Sequence, residues 1–447
     1  MTIKGGMKAD NKYENWLILA HCFNMDGRAA SQTITDRIPF FLRKGIKPIV
    51  ISAPTGEKDK NFPHFQVLSP APSGIIFELR KVVEKHHKKG LKAEFFKLLI
   101  TLVCFPFFVL EKLIVNLDSH WSWFLSAGFK GYFLADKYKI HLIYSSAGPS
   151  SSHLAGYILK KLTNRPWIAE LHDPLVSQSG TIRKRYQRDR FNRWLEKKIF
   201  KHASAVIYFT QSACKNAQTR TGVNNNSFIL RPGANPPDGA KDYKKKDKIH
   251  FGHFGSLASN RSLSVLMEAF HGLIQEDESL KDLVVLDVYG TDLDLASRKT
   301  KKRLGLDNVV CEHGRLEFDH LTGKTGRQQV FEQMNLCDVL VLLHGDSDIG
   351  DEYIPSKFYE YLLTGRPIAG FVSKHSELAE MLDSLGHFVI DPDSVGEIKA
   401  VLKTFIEKWK TDQLLEYNTK NSPFTVENTV ERFLEIIEAC LIKPVSS

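Results

Sequence analysis

Short apolar runs rich in β-branched residues recur along this chain with helical stretches between them, and this alternation restricts the fold more than any other feature. Five runs lie in the first half, at 16–20, 48–52, 141–144, 167–169 and 205–210. Six lie in the second half, at 249–254, 283–289, 309–311, 338–343, 367–371 and 388–390. Strands that alternate with helices form parallel sheets covered on both faces. The sequence therefore predicts an α/β protein with two doubly wound, Rossmann-like domains facing a cleft.

A turn-rich and charged segment separates the two series of runs. Residues 231–239 read Arg-Pro-Gly-Ala-Asn-Pro-Pro-Asp-Gly, and residues 241–248 are almost entirely charged. We place the linker there, which predicts an N-terminal domain over 1–238 and a C-terminal domain over 239–422. Apolar residues at helical spacing after Pro423 predict a last helix, within 423–447, that crosses back and packs across both domains.

Composition excludes several classes of protein. The 447 residues are 43% hydrophobic and 25% charged, so the chain can bury ordinary cores and is not a low-complexity sequence. Its six cysteines form no Cys-x-x-Cys pair, which argues against a disulfide framework or a structural zinc site and favours a reducing cytosol. The net charge of +10 suits an anionic membrane or a phosphorylated substrate. No motif for nucleic acid accompanies it, so we expect no nucleic-acid partner.

Two glutamates eight positions apart stand in the most specific string of the sequence. Glu352 and Glu360 belong to Asp-Glu-Tyr-Ile-Pro-Ser-Lys-Phe-Tyr-Glu-Tyr, which follows an apolar run. If Pro355 and Ser356 open a helix, Glu352 lies in the loop before it and Glu360 in its second turn. The N–H groups of a helix N-terminus suit a diphosphate, and a carboxylate can accept hydrogen bonds from both hydroxyls of a ribose. The alternative is an amphipathic helix with two solvated acids.

A glycine-containing turn opens the second half of the chain. The run at 249–254 leads into Gly255 and Ser256, and Arg261 stands at the start of the next helical stretch. A glycine lets the backbone approach a ligand closely, and an arginine there can neutralise phosphate charge. The two glycines Gly252 and Gly255 form a Gly-x-x-Gly pattern, which is a weak motif by itself, so a purely structural turn is the alternative.

These two strings resemble the signature regions of the GT-B glycosyltransferases of the retaining, family 4 kind. The resemblance implies that Glu360 binds the donor ribose and that Glu352 lies near the transferred sugar. It also implies that Arg261, Lys357 and backbone N–H groups stabilise the leaving diphosphate. Ser256 occupies the position of a second basic residue that is common in the family. The implied donor-binding residues are Gly255, Ser256, Arg261, Arg315, Ser356, Lys357 and Glu360.

The first half of the chain also resembles this family, in its acceptor-side segments. His153 lies in a helical stretch after a Pro- and Ser-rich turn, and His172 and Asp173 end the following predicted strand. Gly27 and Arg28 follow the first predicted strand, where the family carries a loop that approaches acceptor and phosphate. A plain turn at Gly27 and a surface or helix-capping histidine are the alternatives. The implied catalytic residues are Glu352, Asp173, His172 and His153, without a protein nucleophile.

An apolar segment near 95–125 suggests contact with a membrane. Residues 98–110 are aliphatic or aromatic apart from Thr101, Cys104 and Pro106, and 13 residues fall short of the roughly 18 that a span needs. Aromatic residues follow the segment, and a basic stretch at 183–202 adds positive charge. This pattern is typical of a segment that lies in an anionic interface, whereas a core helix with a solvated basic face is the alternative. The lysines before the segment are Lys81, Lys85, Lys88, Lys89 and Lys92.

The resemblance implies a retaining, hexosyltransferase-like enzyme that uses a nucleoside-diphosphate sugar, with UDP or GDP as the nucleotide. Its acceptor would be a hydroxyl of a glycan or lipid-linked molecule in cell-surface polysaccharide or glycolipid biosynthesis. We expect no metal and no cofactor, because helix dipoles and basic side chains can offset the diphosphate charge. We expect a peripheral protein at the cytoplasmic face of a membrane. Two alternatives stay open: a catalytically idle GT-B scaffold that binds a partner or membrane, and a nucleotide-sugar epimerase.

Overall fold

The computed structural model describes the chain in the ranges 14–25, 27–86, 90–146, 149–176, 186–223, 226–235, 243–258, 260–319, 321–345, 350–414, 416–417, 419 and 422–442. The chain divides into two units. The N-terminal unit comprises Met1–Arg231 and Glu427–Ser447, and the C-terminal unit comprises Pro232–Val426. Lys88, Lys89, residues 183–185 and, within the linker predicted at 231–239, residues 236–239 lie outside the described residues.

The N-terminal unit is built on a parallel sheet. Its strands are β1 Asn15–Leu19, β2 Lys47–Ser52, β3 His64–Gln66, β4 Leu142–Ser146, β5 Trp167–Leu171, β6 Ala205–Tyr208 and β7 Ser227–Ile229. Its helices are α1 Ala29–Arg43, α2 Pro72–His86, α3 Leu91–Ile114, α4 Trp123–Lys137, α5 Ser151–Thr163, α6 Tyr186–His202 and α7 Gln211–Thr221, with α15 Val426–Ile442 at the end of the chain. The strand order is β3-β2-β1-β4-β5-β6-β7. The order reverses between β1 and β4, and ligands of such sheets bind at that point, beyond the carboxyl ends of the strands.

The C-terminal unit repeats this arrangement. Its strands are β8 Ile249–Gly255, β9 Val284–Gly290, β10 Val310–Gly314, β11 Val339–Leu343, β12 Ile368–Phe371 and β13 Phe388–Ile390. Its helices are α8 Ser264–Glu276, α9 Leu280–Leu283, α10 Leu295–Leu304, α11 Gly326–Asn335, α12 Ser356–Leu362, α13 Glu377–Ser384 and α14 Val395–Lys410. The parallel order is β10-β9-β8-β11-β12-β13, which puts the switch point between β8 and β11. The predicted α/β class with two doubly wound sheets is confirmed.

The central strands form because their apolar runs can be buried on both faces of a sheet. Every residue of β4, β5 and β6 is buried, as are the four apolar residues of β1 from Trp16 to Leu19. Parallel sheets covered by helices on both faces require such continuous apolar runs, whereas a half-exposed strand alternates. Each of the eleven predicted runs overlaps a strand.

The two edge strands of the N-terminal sheet are not among the predicted runs. Both β3 and β7 contain three residues and are partly exposed. An edge strand buries less surface than a central one, so its sequence need not be continuously apolar. In the N-terminal sheet, apolar periodicity therefore finds the five inner strands and misses both edge strands.

The last helix, α15, packs on the N-terminal unit. Its Phe433 ring lies 6.0 Å from Trp16 of β1, 5.9 Å from Phe41 of α1 and 5.0 Å from Tyr144 of β4, measured between ring centroids. Phe433 is fully buried. The chain therefore returns to its first unit after completing the second.

The apolar segment of the N-terminal unit is a long and exposed helix. Helix α3 has 24 residues and extends beyond the predicted 13-residue run at both ends. Only 6% of its most apolar 18-residue window is buried. By length and composition, α3 alone among the described helices could cross a membrane. The alternative that this segment is a core helix is therefore wrong, as is the conclusion that it is too short to span.

Candidate functional site

In the C-terminal unit, the predicted donor residues other than Arg315 lie at the end of β8, in the loop after it, and in α12, which follows β11 along the chain. Strands β8 and β11 are the two strands beside the switch point. Strand β8 ends at Gly255, and β11 leads into His344 and the segment that carries Glu352. The carboxyl ends of adjacent parallel strands meet at one edge of the sheet. Because β8 and β11 are such neighbours, the segments that follow them begin side by side.

Two glycines let the ends of β8 and β9 approach each other closely. Gly255 and Gly290 are paired in register, and a Cβ atom on Gly290 would lie only 2.1 Å from the Gly255 carbonyl oxygen. Gly290 also has a φ of +126°, which favours glycine. Gly290 therefore fixes the path of the glycine turn at Gly255, and it was absent from the predicted site.

Replacing Gly290 by Ala is expected to lower the free energy of unfolding by about 2 kcal/mol, since the new methyl group must push the Gly255 carbonyl away. It should also weaken nucleotide binding, because Gly255 moves. Urea denaturation and nucleotide titration measure the two effects. Gly305→Ala is the matched control, because Gly305 also has a positive φ of +63° but has open space around its Cα. Equal losses in the two variants would contradict a steric role for Gly290.

The loop after Gly255 is a tight turn that places Arg261 beside the end of β11. Backbone N–H groups of Ala258 and Arg261 donate to each other's carbonyl oxygens at 3.2 and 2.8 Å. A Cβ atom on Gly345 would lie 3.0 Å from Cγ of Arg261, so the turn packs directly on the residue after His344. Burial lowers the pKa of His344, and the Arg261 charge lowers it further. Arg261 is half-buried and therefore retains access to solvent.

The short helix α12 is held in place by aromatic side chains. Phe358, Tyr359 and Tyr361 are all buried. The Tyr361 hydroxyl accepts a hydrogen bond from the Phe254 N–H at 3.0 Å and donates to the Val341 carbonyl at 3.3 Å. Tyr361 thus fastens α12 to β8 and β11 at once. As predicted, the helix begins at Ser356, with Pro355 as its N-cap residue.

Both glutamates of the motif are buried. The exposed fraction is 2% for Glu352, at the end of a short 3₁₀ turn, and 6% for Glu360 in α12. The alternative of two solvated acids is therefore wrong. Glu360 accepts a hydrogen bond from the Lys357 ammonium at 2.5 Å, and the guanidinium of Arg327 in α11 lies 3.8 Å away. These two cations hold the carboxylate in a fixed orientation, which suits it to accept hydrogen bonds from a ligand.

The pairing of Lys357 with Glu360 bears on the predicted role of this lysine. Its side chain is partly exposed, and one of its three N–H groups points to the carboxylate. An ammonium group can donate three hydrogen bonds, so Lys357 can hold Glu360 and still contact a phosphate oxygen.

The other predicted donor residues lie open to solvent. Ser256, Arg315 and Ser356 are exposed. Next to Arg315, the His313 ring stacks on Tyr289 at 4.3 Å, and its Nε2 lies 2.6 Å from a carboxylate oxygen of Asp287. This is the end of β10, where the resemblance implies contacts to the nucleobase.

A buried histidine that was not predicted faces the glycine turn. The Nδ1 of His253 donates to the Val341 carbonyl at 3.2 Å, which leaves Nε2 as the acceptor nitrogen. That Nε2 atom is buried and has no hydrogen-bond partner among the described residues, and it lies 3.7 Å from the position of a Cβ on Gly255. Burial lowers the pKa of His253 to about 4, and the Arg261 charge contributes. His253 therefore offers a neutral acceptor beneath the turn.

In the N-terminal unit, His172 is oriented by a buried carboxylate. Its Nε2 lies 3.1 Å from Glu170 Oε1, and its ring stacks on Phe209 with centroids 4.3 Å apart. Because a carboxylate only accepts hydrogen bonds, the imidazole hydrogen lies on Nε2, and Nδ1 is left as the nitrogen that can accept a proton. A carboxylate that orients a histidine in this way is a common arrangement for general bases.

Glu170 is also held by a buried arginine. The Arg37 guanidinium of α1 donates to Glu170 Oε2 at 2.5 Å and to the Tyr144 hydroxyl at 3.0 Å, and that hydroxyl also donates to Glu170. Burial acts to raise the pKa of Glu170, but the Arg37 charge and hydrogen bonds from His172 and Tyr144 outweigh it and lower the pKa to about 2. Neither Arg37 nor Glu170 was among the predicted site residues.

The other acceptor-side residues differ in exposure. His153 is buried, and its Nδ1 lies 2.9 Å from the Ser145 hydroxyl, which also accepts a hydrogen bond from Trp167. Burial lowers the pKa of His153 to about 3, so this ring is neutral. Asp173, directly after His172, is exposed. His153 in α5 therefore lies against Ser145 of β4, and His172 directly follows the neighbouring strand β5, but His153 is inside the core.

The loop after β1 carries Gly27 and Arg28, which are both exposed, and Arg28 is the N-cap residue of α1. Below it lies the one described group of side chains whose geometry could hold a metal ion: His21, Glu78 and His120, with ligand atoms within 4.8 Å of one another. His21 Nε2 donates to Glu78 at 3.0 Å, and the Ser69 N–H donates to the same carboxylate at 2.7 Å. This carboxylate is thus satisfied by the protein itself, and the expected absence of a metal stays a prediction.

Comparison with known proteins identifies the fold. No protein family profile matches the chain, and no curated protein matches it in sequence. HepE of Anabaena, solved with UDP and glucose, is 15% identical with a TM-score of 0.59, over 96% of this chain and all of that one. Sucrose-phosphate synthase of Thermosynechococcus elongatus is 13% identical with a TM-score of 0.60, over 96% and 99% of the two chains. WaaG, a glycosyltransferase of lipopolysaccharide biosynthesis, is 15% identical with a TM-score of 0.54, over 95% and 99%. The predicted GT-B fold is confirmed.

Proposed function

We propose that this protein is a glycosyltransferase that moves a sugar from a UDP-sugar to a hydroxyl of a glycan or lipid-linked acceptor. The observation that carries the proposal is the pair of buried glutamates, Glu352 and Glu360, on either side of the start of α12 at the switch point of a Rossmann-like sheet. Buried carboxylates next to a ligand-binding edge are costly unless they serve a ligand or an ion pair. The complexes of HepE with UDP and with UDP-glucose support UDP as the nucleotide.

On the donor side, Glu360 would accept hydrogen bonds from the ribose hydroxyls. Lys357 and Arg327 hold its carboxylate in place, so Glu360 needs no reorganisation when the nucleotide binds. Arg261, Lys357 and backbone N–H groups would neutralise the diphosphate. His253 would accept a hydrogen bond beneath the glycine turn, and Glu352 would position the transferred sugar.

In the reaction, the bond between the anomeric carbon and the diphosphate oxygen breaks while a bond to the acceptor oxygen forms. With retention of configuration, the acceptor hydroxyl enters from the face that the diphosphate leaves, and its proton passes to the departing phosphate oxygen. No protein nucleophile takes part. The arginine and lysine side chains would stabilise the charge that develops on the diphosphate. Stabilisation of this kind is usually the largest single contribution to an enzyme's rate enhancement.

The N-terminal unit would hold the acceptor. His172, with its hydrogen on Nε2, offers Nδ1 to a sugar or acceptor hydroxyl, and Glu170 keeps that tautomer. Asp173, Gly27 and Arg28 are the exposed residues of this side. We propose a place in cell-surface polysaccharide or glycolipid synthesis, at the cytoplasmic face of the membrane.

The proposal is tested first by nucleotide binding. UDP at about 100 times its dissociation constant should stabilise the folded protein by roughly 2.7 kcal/mol, which raises the melting temperature by several degrees. GDP, ADP and CMP are measured in parallel, because selective stabilisation by one nucleotide identifies the donor base. If none of the four shifts the melting temperature, the proposed donor site is wrong.

Turnover then separates the proposed function from its alternatives. Purified protein is given a radiolabelled UDP-sugar with and without a membrane lipid extract, and the products are separated. Label that enters the lipid or glycan fraction supports a transferase. An isomerised sugar formed without any acceptor indicates an epimerase. Nucleotide binding without consumption of any donor indicates an idle scaffold.

A further inference from the structure

We propose that α3 binds lipid bilayers while lying in the plane of the membrane surface, and that it does not cross. The proposal does not depend on the chemistry of the nucleotide site. It rests on three features of the N-terminal unit: the width of the apolar surface on α3, the contacts that tie α3 to α2, and the contacts that tie α2 to the sheet.

The apolar surface of α3 is wider than a protein partner requires. At 3.6 residues per turn, its exposed large side chains occupy roughly 200° of the circumference, from Phe105 at one margin to Phe107 at the other. A helix that packs on another protein needs an apolar stripe of about 100°. A surrounding lipid phase covers the whole arc. The exposed side chains are Leu91, Phe95, Phe96, Leu98, Leu99, Leu102, Val103, Phe105, Phe107, Val109, Leu110, Leu113 and Ile114.

The polar groups of α3 do not oppose immersion of that arc. The Thr101 hydroxyl donates to the Lys97 carbonyl at 2.8 Å, so it is satisfied within the helix. Lys97 lies 2.6 Å from Glu94 and 3.5 Å from Glu84 of α2. Glu111 is buried and accepts hydrogen bonds from the unit itself. Hydrocarbon penalises unsatisfied polar groups, and the charged residues in the body of α3 face α2 or the helix ends.

The contacts with α2 hold both ends of α3 on the same unit. Near its start, Lys97 pairs with Glu84 in the last part of α2, and near its end Glu111 accepts from the N–H and hydroxyl of Ser73 at the start of α2, at 2.7 and 2.6 Å. The two helices therefore run antiparallel and side by side. A helix held to a neighbour at both ends cannot cross a bilayer unless the neighbour enters with it.

Helix α2 is itself fixed to the sheet and carries charge. Its Glu78 accepts hydrogen bonds from His21, which follows β1, and from the Ser69 N–H, and all three residues are buried. Arg80, Lys81 and Lys85 lie on the same helix. Crossing would pull these charges into hydrocarbon, which is costly, whereas lying flat leaves them at the interface, where lysines favour anionic lipids. Helix α3 is long enough to span a bilayer, but these contacts make it lie along the membrane surface instead.

The first test is flotation of the full chain with vesicles of phosphatidylcholine and phosphatidylglycerol. The wild type should float with the vesicles. The double variant L102E/F107E should lose at least about 100-fold in partition coefficient, because two large side chains no longer enter lipid. Both residues are more than 60% exposed, so the melting temperature should not change. The matched control is F318E/L321E, two exposed apolar residues of the C-terminal unit, and it should float like the wild type.

The second test distinguishes lying from crossing. A dansyl amino acid is placed by codon suppression at Phe96, Val103 or Leu110, which are seven residues apart on one face, and quenching by lipids brominated at known depths locates each. An in-plane helix puts the three probes at equal depth. A crossing helix puts Val103 about 10 Å deeper than the other two, which would overturn the proposal. It would also be overturned if the wild type fails to float and sediments as a dimer that L102E/F107E dissociates.

Discussion

Replacing Arg37 by Met is expected to lower the free energy of unfolding of the N-terminal unit by about 3–5 kcal/mol, because Glu170 then remains buried without its cation. Both side chains are almost completely buried, and the Phe433 ring of α15 covers the guanidinium at 5.5 Å, so water cannot replace the lost contacts. For a unit of this size the melting temperature should fall by about 10 °C. Urea denaturation and calorimetry measure the change.

Arg43→Met is the control for this prediction. Arg43 lies on the same helix and pairs with Glu427 at 3.7 Å, but both side chains are exposed. Exposed pairs contribute little, so this variant should lose less than about 0.5 kcal/mol. If Arg37→Met costs no more than the control, the buried pair does not stabilise the unit.

The loss in Arg37→Met is expected to shrink as the pH falls. In the wild type the pKa of Glu170 is lowered to about 2, so its ionised form adds stability above the unfolded value of 4.5, and this is lost as the pH falls through about 2. Without Arg37, burial raises the pKa of Glu170 above its unfolded value, so the folded variant takes up a proton first and gains stability on acidification. The difference between the two proteins should therefore be smaller at pH 4 than at pH 7.

Replacing Glu360 by Ala is expected to weaken UDP binding by about 10- to 100-fold while the fold persists. The loss corresponds to charged hydrogen bonds worth about 1.5–3 kcal/mol. Lys357 and Arg327 are partly exposed, so they can return to water when the carboxylate is gone. Glu360→Gln keeps the shape and one acceptor, and we expect an intermediate affinity. Isothermal titration with UDP gives all three dissociation constants.

Glu276→Ala is the matched control for the binding experiment. Glu276 ends α8 in the same unit and pairs with Lys399 at 2.6 Å, but it is exposed. Its removal should leave UDP affinity unchanged. A Glu360→Ala variant that binds UDP as tightly as this control would remove Glu360 from the donor site.

The features that could be predicted from the sequence are those that short stretches of the chain determine by themselves. Each of the eleven apolar runs overlaps a strand, and the order of Glu352, Pro355, Ser356 and Glu360 places the helix start correctly. Such features depend on neighbours within a few residues, so a single sequence contains them. The burial of Glu352 and Glu360 could not be predicted from these residues, because it depends on the packing of α12 against two strands.

The parts of the site that were missed depend on residues far apart in the chain. Arg37 and Glu170 are separated by 133 positions, and His21 and Glu78 by 57. Arg37 stands in the pattern of α1 like any other charged residue, and nothing in its neighbourhood indicates burial. The end of β8 offers a partial signal, because the strand run ends in glycine and so does β9, at Gly290. A rule that looks for glycine at the ends of adjacent parallel strands would have identified Gly290 as part of the site.

The return of the chain to its first unit has a consequence for protein synthesis. Phe433 covers Trp16, Phe41 and Tyr144, yet it is translated only after all of Pro232–Val426. At about 5–20 residues per second, the first core stays uncovered for roughly 10 to 40 s while the ribosome makes the second unit. The unit that emerges first is thus the last to be completed. A nascent chain stalled before α15 should therefore recruit chaperones through an apolar surface that the finished protein hides.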